Sequence, residues 1–466
     1  MKQTKKVLLL SCILWNALSG WTACCSSAFQ ISSFSRFRHP THGTSHQTVL
    51  SACNRSDEDE HPPTSASSSS SSSSPFLFSQ DLSRREAWQH TASTAAAAMT
   101  TTASGLLLPP SAHAKTSPSP SITTVAAATN TSPVPTIRLG KSSLEVSRTI
   151  QGHWQLSGGH GKIRESDALK NMDAHFNAGI TTLDTADIYG PSEIIVGKYR
   201  AQNPKAIPIT KFCCFRFLNE ITRDEVRQRV EQACERLNVA RLPLLQFFWL
   251  RYDVGKFVDV ALWLTELKEE GLIQEIGATN FDLPRLKQLK AAGVPIVSHQ
   301  VQLSALDRRP VQSGMAEWCA ENDISLIAFG TIGSGILSDR YLGKPAPTQE
   351  QKNTASMRMY SNTAARFGSW NLVQELLQTM EAIAVDVRKD GRCPQCTIAN
   401  VAQRYVLQTP AVAALIIGVR NQEHIAENSR THSFALRQDE KAAIDAVVAK
   451  RKGPEGDVWD IERGIV

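Results

Sequence analysis

Short apolar runs alternate with amphipathic stretches of helical spacing along the C-terminal two thirds of this 466-residue chain. When helices connect successive strands in this way, each helix returns the chain to the same end of the sheet, so the strands lie parallel. Eight such units follow one another without an internal repeat, over about 300 residues, which is the usual size of one closed barrel. The pattern therefore predicts an α/β fold, a (β/α)8 TIM barrel.

The individual elements can be placed from the same pattern. Strands are predicted at residues 149–154, 181–184, 207–211, 244–249, 274–279, 296–301, 325–329 and 411–417. A short hairpin is predicted before them, at 136–147, and a long loop at 333–368, where we found little apolar periodicity. Thr222 precedes Glu225 by three residues, a spacing typical of a helix N-terminus. A doubly wound sheet is the alternative, but no G-x-G-x-x-G follows the first strand.

Ionisable side chains stand at the ends of two predicted strands. Asp184 ends the second strand, Tyr189 follows in the next loop, and Lys211 ends the third strand. Parallel α/β barrels place their chemistry where the carboxyl ends of the strands meet. A carboxylate, a phenol and an ammonium at such an edge indicate acid–base chemistry, and the positive charge would lower the pKa of the tyrosine toward neutrality.

On these residues the chain resembles the aldo-keto reductases, and the resemblance extends from about residue 135 to the C-terminus. It implies a (β/α)8 barrel that binds NADPH and reduces a carbonyl by hydride transfer. In that family a tyrosine donates the proton, a lysine held by an aspartate tunes the tyrosine, and a histidine orients the carbonyl. Tyr189, Lys211 and Asp184 match the first three positions in order and context.

The fourth position departs from the family pattern. Relatives have a histidine in a strand that reads L-L-Q-F-H-W, and this chain has Phe248 there. A phenyl ring donates no hydrogen bond, and loss of one preorganised donor typically costs about 100- to 1,000-fold in turnover. His153 could supply an imidazole, but its more ordinary role is that of a polar neighbour of Trp154. The sequence thus predicts an NADP(H)-dependent carbonyl reductase or, alternatively, a catalytically weak NADP-binding sensor on the same fold.

The resemblance also implies a set of cofactor-binding residues. Trp154 belongs to this set, Thr279, Asn280 and Gln300 are expected at the carboxamide, and Phe329 is expected to stack on the nicotinamide. The turn after Phe329 is expected to line the pyrophosphate with backbone N–H groups. Its residues are Gly330, Ile332, Gly333 and Ser334.

The adenosine end of the cofactor is expected at a segment that begins with Gly418. Arg420 at a helix N-terminus would take the 2′-phosphate, which favours NADP over NAD. Glu427 and Asn428 would reach the adenine. Residues 456–463 resemble the C-terminal tail of the same relatives, which lies near the substrate mouth.

The cysteines form no disulfide framework, since ten in a chain of this length include only one C-x-x-C, Cys393 to Cys396. This pair could form a regulatory disulfide or be two ordinary loop cysteines. A metal site is disfavoured because no second pair or histidine cluster accompanies it. The net charge of +6 is modest and gives little support for nucleic-acid binding.

The first 114 residues predict a targeting leader rather than a folded domain. Lysines precede an apolar run at 7–18, of signal-peptide length, and a segment rich in serine and arginine follows Phe29. This order resembles the bipartite presequence of algae with complex plastids. Arg84 and Arg85 then precede a weakly apolar stretch that ends in Ala112-His113-Ala114, which resembles a twin-arginine transfer segment.

These features predict three regions: a leader at 1–114, a disordered linker at 115–134 and the barrel at 135–466. The expected location is the plastid, in the thylakoid lumen, with the stroma as the alternative. The second signal could instead be an alanine- and threonine-rich linker. No membrane-spanning segment is predicted in the mature chain.

Overall fold

The computed structural model describes residues 133–465. The predicted leader at 1–114 and most of the linker lie outside these residues. The described chain begins with an antiparallel hairpin of two strands, β1 (Thr136–Arg138) and β2 (Glu145–Ser147), in which Ile137 pairs with Val146. The predicted hairpin is confirmed. Its apolar residues pack with those of the barrel strands, among them Ile150 and Leu244.

Eight parallel strands follow the hairpin and close into a barrel. They are β3 (Thr149–Gly152), β4 (Thr182–Asp184), β5 (Ile207–Cys214), β6 (Leu242–Trp249), β7 (Ile273–Thr279), β8 (Ile296–Gln302), β9 (Ser325–Phe329) and β10 (Val412–Gly418). The strands pair in sequence order, and the closing pair joins β10 to β3 with Leu415 opposite Thr149. This architecture confirms the predicted (β/α)8 fold and brings the carboxyl ends of all eight strands to one rim.

Helices connect the strands, and most of them bury one face. They are α1 (Glu165–Asn177), α2 (Ser192–Gln202), α3 (Arg223–Leu237), α4 (Phe257–Glu269), α5 (Leu283–Ala291), α6 (Arg309–Gln312), α7 (Met315–Glu321), α8 (Ala355–Phe367), α9 (Trp370–Lys389), α10 (Ile398–Leu407), α11 (Ile425–Arg430), α12 (Gln438–Val448) and α13 (Asp460–Arg463). The hydroxyl of Thr222 accepts a hydrogen bond from the backbone N–H of Glu225, as the spacing predicted. None of the helices in residues 133–465 is long and apolar enough to cross a membrane.

The prediction of a loop at 333–368 is wrong, because α8 lies within it. Thr354 caps this helix by accepting from the backbone N–H of Met357. The side chains of Met357, Tyr360 and Phe367 are buried in a core shared with α9 and α10. These apolar residues recur at helical spacing, so the signal was present, but polar residues and short 3-10 turns before it obscured the pattern.

Candidate active site

An ion pair lies at the rim of the barrel between the ends of two neighbouring strands. Lys211 Nζ on β5 donates to Asp184 Oδ2 on β4 over 2.5 Å and to the carbonyl of Thr185 over 2.8 Å. Strand pairing places Asp184 opposite Ile209, so the longer side chain of Lys211 reaches back to the carboxylate. Both charged side chains are about 95% buried, at 6% and 5% exposure.

Two glutamine amides complete the surroundings of this carboxylate. Gln246 Nε2 and Gln300 Nε2 donate to Asp184 Oδ1 over 3.0 and 2.8 Å. Gln300 Nε2 also donates to Gln246 Oε1 over 2.8 Å, so its amide hydrogens are used within the protein. Only Oε1 of Gln300 therefore remains for the predicted contact with a carboxamide. Our sequence analysis missed Gln246, although a glutamine within an otherwise apolar strand is a usable signal.

Tyr189 lies in the loop after β4, next to this pair. The ammonium of Lys211 lies 5.1 Å from the centroid of its ring. Desolvation raises the pKa of the Tyr189 hydroxyl well above its usual value, and the charges of Asp184 and Asp187 raise it further. The expectation of a pKa lowered toward neutrality is therefore wrong for this structure. The reason is that the positive charge of Lys211 is paired with Asp184 and the phenol has a desolvated, acidic environment.

Phe248 is buried at the end of β6, in a cluster of apolar residues beside the tyrosine. The cluster consists of Phe248, Ala186 and Cys213, with Tyr189, Phe215, Leu250 and Trp459 packed against it. The ring of Phe248 lies 4.9 Å from that of Phe215 and 5.1 Å from that of Trp459, measured between centroids. This mouth cluster is thus aromatic where the family pattern has an imidazole.

His153, the other imidazole that the sequence offers near the rim, is buried in this structure. It is 3% exposed, and desolvation, followed by the charges of His175 and Lys211, lowers its pKa to about 3. His175 belongs to helix α1, which lies outside the barrel. The imidazole of His153 is therefore a neutral buried group that lies near α1 as well as near Lys211.

The C-terminal tail folds over the same rim. The guanidinium of Arg463 donates to the carbonyls of Trp249, Leu250 and Asn280 over 3.0, 3.1 and 2.7 Å. Buried Arg309 pairs with Glu462 over 2.8 Å, which fixes the tail from a second direction. The predicted position of the tail near the barrel mouth is therefore where the structure places it.

The residues predicted to hold the nicotinamide lie at the ends of β7, β8 and β9. Thr279 Oγ1 donates to the carbonyl of Gln300, and Asn280 follows at a backbone φ of 56°. The side-chain oxygen of Asn280 is buried and has no hydrogen-bond partner within residues 133–465. An unsatisfied amide oxygen at this edge can accept from an amide N–H of a ligand. Phe329 is the last residue of β9 and is half-buried.

The turn after Phe329 has several residues in the left-handed region. Gly330, Gly333 and Ser334 have φ angles of 73°, 56° and 57°. Ile332 precedes a 3-10 turn in the same loop and packs against the buried core of the long C-terminal helices. Helix α8, which our sequence analysis missed, lies against this loop. A Cβ built on Gly330 would come within 2.5 Å of the ring of Tyr360 on that helix.

The predicted adenosine end combines exposed and buried residues. The side-chain oxygens of Glu427 accept from Thr397 Oγ1 and contact His424 Nδ1, at 2.7 and 2.8 Å. Asn428 is buried, and its Oδ1 accepts from Gln403. These polar atoms therefore bond within the protein. A Cβ on Gly418 would come within 2.3 Å of the amide of Gln155.

A cluster of positive charge lies at Arg420. A Cβ built on Gly161 would lie 3.7 Å from Arg420 Nη2. Desolvation and then the charges of Arg420 and Arg358 lower the pKa of buried His160 to about 4, so both guanidiniums lie within electrostatic reach of this histidine. Trp154 covers the ring of His160 edge-on, at 4.8 Å between centroids. The sequence analysis missed His160. It also missed Arg358, because this residue lies on helix α8, which was not predicted.

Cys393 and Cys396 are both free and almost completely buried. The backbone N–H of Cys396 donates to the carbonyl of Cys393 over 3.0 Å, which closes a turn before α10. Burial, followed by the influence of Cys393, raises the pKa of the Cys396 thiol. A buried thiol with a raised pKa is a poor nucleophile, so this geometry favours two packed thiols over a reactive pair.

Comparison with known proteins gives consistent matches over the barrel. The model of the aldo/keto reductase family matches residues 149–449. Pyridoxal reductase, chloroplastic, of Arabidopsis thaliana is 23% identical over 341 residues, which is 68% of this chain and 87% of the relative. The aldo-keto reductase str7 of Strobilurus tenacellus is 24% identical over 69% of this chain and 94% of its own length.

Solved structures show the same fold. A glycerol dehydrogenase from Gluconobacter oxydans superimposes with a TM-score of 0.55 at 21% identity, over 69% of this chain and 97% of that one. The holo form of an aldo-keto reductase from Bacillus halodurans gives a TM-score of 0.54 at 22% identity, over 67% and 96%. The shared region is the barrel.

Proposed function

This chain belongs to the aldo/keto reductase family, and on that basis we propose that it is an NADP(H)-dependent oxidoreductase that reduces an aldehyde or ketone to an alcohol. The observation that carries the proposal is the buried pair of Lys211 and Asp184 beside the ring of Tyr189. The family generally uses nicotinamide cofactors and small-molecule substrates. The choice of NADP over NAD and of a carbonyl as substrate is our inference.

The proposed reaction needs a proton donor that keeps its proton until a substrate is bound. Tyr189 fulfils this requirement because desolvation and nearby carboxylates hold its hydroxyl in the neutral form. The hydroxyl transfers its proton to the carbonyl oxygen as the carbonyl carbon gains a hydride, and the product is the alcohol. Lys211 then stabilises the phenolate, since its ammonium lies 5.1 Å from the ring centroid.

The residues at the rim fit a dinucleotide. When bound, NADPH supplies the hydride for this reaction. The buried Oδ1 of Asn280, which has no partner within residues 133–465, would accept from the carboxamide, and the turn after Phe329 would lie along the pyrophosphate. Arg420 and Arg358, which both lie near His160, would bind the 2′-phosphate, because guanidiniums favour the additional negative charge of NADP.

The aromatic mouth favours a second candidate function, a catalytically weak NADP-binding sensor. Phe248 is buried between Phe215 and Trp459 and donates no hydrogen bond to a carbonyl. The cofactor residues do not depend on this position, so nucleotide binding could persist where turnover is slow.

Titration of residues 115–466 with NADPH, followed by its fluorescence, tests both functions. NADPH binding together with turnover of aldehydes or quinones that Tyr189→Phe abolishes would support the reductase. Binding without turnover would support the sensor. A gain of activity in Phe248→His would then show that the phenyl ring at this position is the reason why turnover is absent. Absence of NADPH binding would contradict both functions.

The compartment is a separate proposal. We propose a plastid location, in the thylakoid lumen with the stroma as the alternative, on the order of signals in residues 1–114. One relative bears the word chloroplastic in its name, which agrees with a plastid address. A fluorescent protein fused to residues 1–115 tests the proposal. Replacement of Arg84 and Arg85 by lysine should retain that fusion in the stroma, and unchanged lumen delivery would contradict the twin-arginine route.

A further inference from the structure

Trp459 in the C-terminal tail has a buried hydrogen-bond donor without an acceptor. Its indole Nε1 is enclosed by the protein and has no hydrogen-bond partner anywhere in the described chain. A buried donor left unpaired typically costs about 1–3 kcal/mol. The other indole group at this rim, Trp249 Nε1, donates to the carbonyls of Arg251 and Val254. One indole at this rim thus finds acceptors in the protein, and that of Trp459 does not.

The backbone of Trp459 is also held in an unfavourable conformation. Its φ angle is 64°, in the left-handed region where a bulky side chain rarely occurs. Such a conformation persists only where the surroundings impose it. Here they do: Asp457 Oδ2 accepts from the backbone N–H of Leu283, Glu462 pairs with Arg309, and Arg463 donates to three carbonyls of the rim. The tail thus holds the indole in one place at the expense of local backbone energy.

That place is the mouth cluster. The ring of Trp459 meets Phe248 edge-to-face, with 5.1 Å between centroids and 75° between planes. Tyr189 packs against the same cluster. The indole that carries the unpaired N–H therefore packs against the phenyl ring at the histidine position, in the same cluster against which Tyr189 packs.

A carbonyl oxygen has two lone pairs. In the proposed reaction Tyr189 donates to one of them, and Phe248 cannot donate to the other. We propose that the indole N–H of Trp459 donates to the substrate carbonyl oxygen and so orients it for reduction. The inference rests on the proposed reductase function and adds a catalytic residue from the tail. It also requires the tail to shift enough to admit the oxygen, after which the buried donor gains its acceptor.

The test uses the full chain in four forms: wild type, Trp459→Phe, Phe248→His and the double variant. Trp459→Phe removes the N–H and keeps an aromatic ring. We expect turnover of the aldehyde that wild type reduces best to fall about 100-fold, with unchanged NADPH affinity.

Phe248→His in the Trp459→Phe background should restore most of the lost turnover, since an imidazole N–H then faces the same oxygen. Trp370→Phe is the matched control, because its indole donates to Lys344 outside the mouth.

A second measurement does not need turnover. The indole N–H signal of ¹⁵N-tryptophan-labelled protein, assigned by its loss in Trp459→Phe, is followed while the same aldehyde is added to the complex with NADP⁺. A downfield shift of that signal supports the inference. Unchanged turnover in Trp459→Phe together with an unmoved signal overturns it, as does lost turnover that Phe248→His fails to restore.

Failure of the proposed function gives a different pattern. A wild-type chain that binds NADP⁺ but reduces no carbonyl removes the reductase proposal. The indole signal, followed while each assayed aldehyde is added in turn, then decides alone: a shift with any of them supports the role of Trp459 as a donor to the carbonyl oxygen, and an unmoved signal with all of them overturns it. A chain that binds neither NADPH nor NADP⁺ overturns both.

Discussion

Lys211 Nζ lies 2.5 Å from Asp184 Oδ2, and both side chains are almost completely excluded from solvent. Burial makes this pair expensive to break, because the partner that remains is a charge without compensation. The same contact fixes the ammonium beside the ring of Tyr189. Stability and the proposed chemistry therefore depend on one interaction.

Lys211→Met should accordingly lower the free energy of unfolding by about 3–5 kcal/mol, as is typical for removal of one partner from a buried pair. Adding Asp184→Asn should recover part of this loss, since the unpaired charge is then gone. Lys198→Met is the matched control: its pair with Glu165 is about half-exposed, and such pairs contribute about 1 kcal/mol or less. Urea unfolding measures all three. Equal effects of the two single substitutions would contradict the importance of burial.

The raised pKa of Tyr189 predicts how the proposed reduction depends on pH. Because desolvation and carboxylates favour the neutral phenol, the proton donor stays protonated throughout the neutral and mildly alkaline range. We expect kcat for carbonyl reduction to be flat between about pH 6 and 9. A steady decline of kcat from pH 6 to pH 9 would contradict a Tyr189 hydroxyl that stays protonated over this range.

Much of the fold could be predicted from sequence because it depends on local periodicity. Parallel barrel strands are buried on both faces, so they read as apolar runs, and the polar residues at their ends mark the functional rim. Asp184, Tyr189 and Lys211 were found in this way. Helix α8 was missed because polar residues and short turns surround it, and Arg358 and Tyr360 were missed with it.

Other features of the site depend on three-dimensional packing and have no local signal. The raised pKa of Tyr189 comes first from desolvation and then from nearby acidic groups such as Asp184, which spacing along the chain does not show. The unpaired indole of Trp459 is defined by what surrounds it after folding. Its left-handed backbone is equally a result of tail contacts that are remote in sequence, such as Glu462 with Arg309.

The glycine at the start of the pyrophosphate turn gives a third prediction. Gly330 has a φ of 73° and faces the ring of Tyr360, 2.5 Å from where a Cβ would lie. Gly314 has nearly the same φ, 75°, but no atom within 4 Å of that point. Alanine at either position should cost about 1–2 kcal/mol for the left-handed backbone. Only Gly330→Ala should also displace Tyr360, and we expect it alone to weaken NADPH binding, by about tenfold.

Thermal unfolding and NADPH titration of the two alanine variants check this prediction. The stability loss in Gly314→Ala corrects for backbone strain, so any excess in Gly330→Ala reports the clash with Tyr360. NADPH affinity in Gly330→Ala equal to that of Gly314→Ala would show that this turn is not part of the cofactor site.

Buried histidines predict a loss of stability in acid. Desolvation lowers the pKa of His153 and of His299 to about 3, below the usual value of 6.5. The unfolded chain therefore binds these protons first as the pH falls. The free energy of unfolding is therefore unaffected by these histidines above about pH 6.5. It declines from there toward pH 3, by up to about 1.4 kcal/mol per pH unit for each histidine. Urea unfolding at several pH values measures the slope. His153→Gln should reduce this slope by the contribution of about one proton taken up on unfolding. An unchanged slope would contradict a lowered pKa for His153.

Arg463 supplies three of the hydrogen bonds that hold the tail on the barrel. Its guanidinium donates to the carbonyls of Trp249 at the end of β6, of Leu250 directly after it, and of Asn280 directly after β7. Three bonds to a charged donor are together strong enough to keep the tail docked, so Arg463→Ala should release it while the barrel stays folded. We expect backbone amides near the C-terminus to exchange with deuterium at least about tenfold faster, because the turn at Trp459 loses its support.

The exposed Lys452 supplies the control, since its substitution by alanine removes a positive charge close to the tail without touching the rim. Exchange in Lys452→Ala should match wild type. If Arg463→Ala also retains wild-type exchange, the pair of Arg309 and Glu462 must hold the tail by itself, and Glu462→Gln should then produce the acceleration. A tail that stays protected in both variants would show that apolar packing of Trp459 against Phe248 is sufficient to close the mouth.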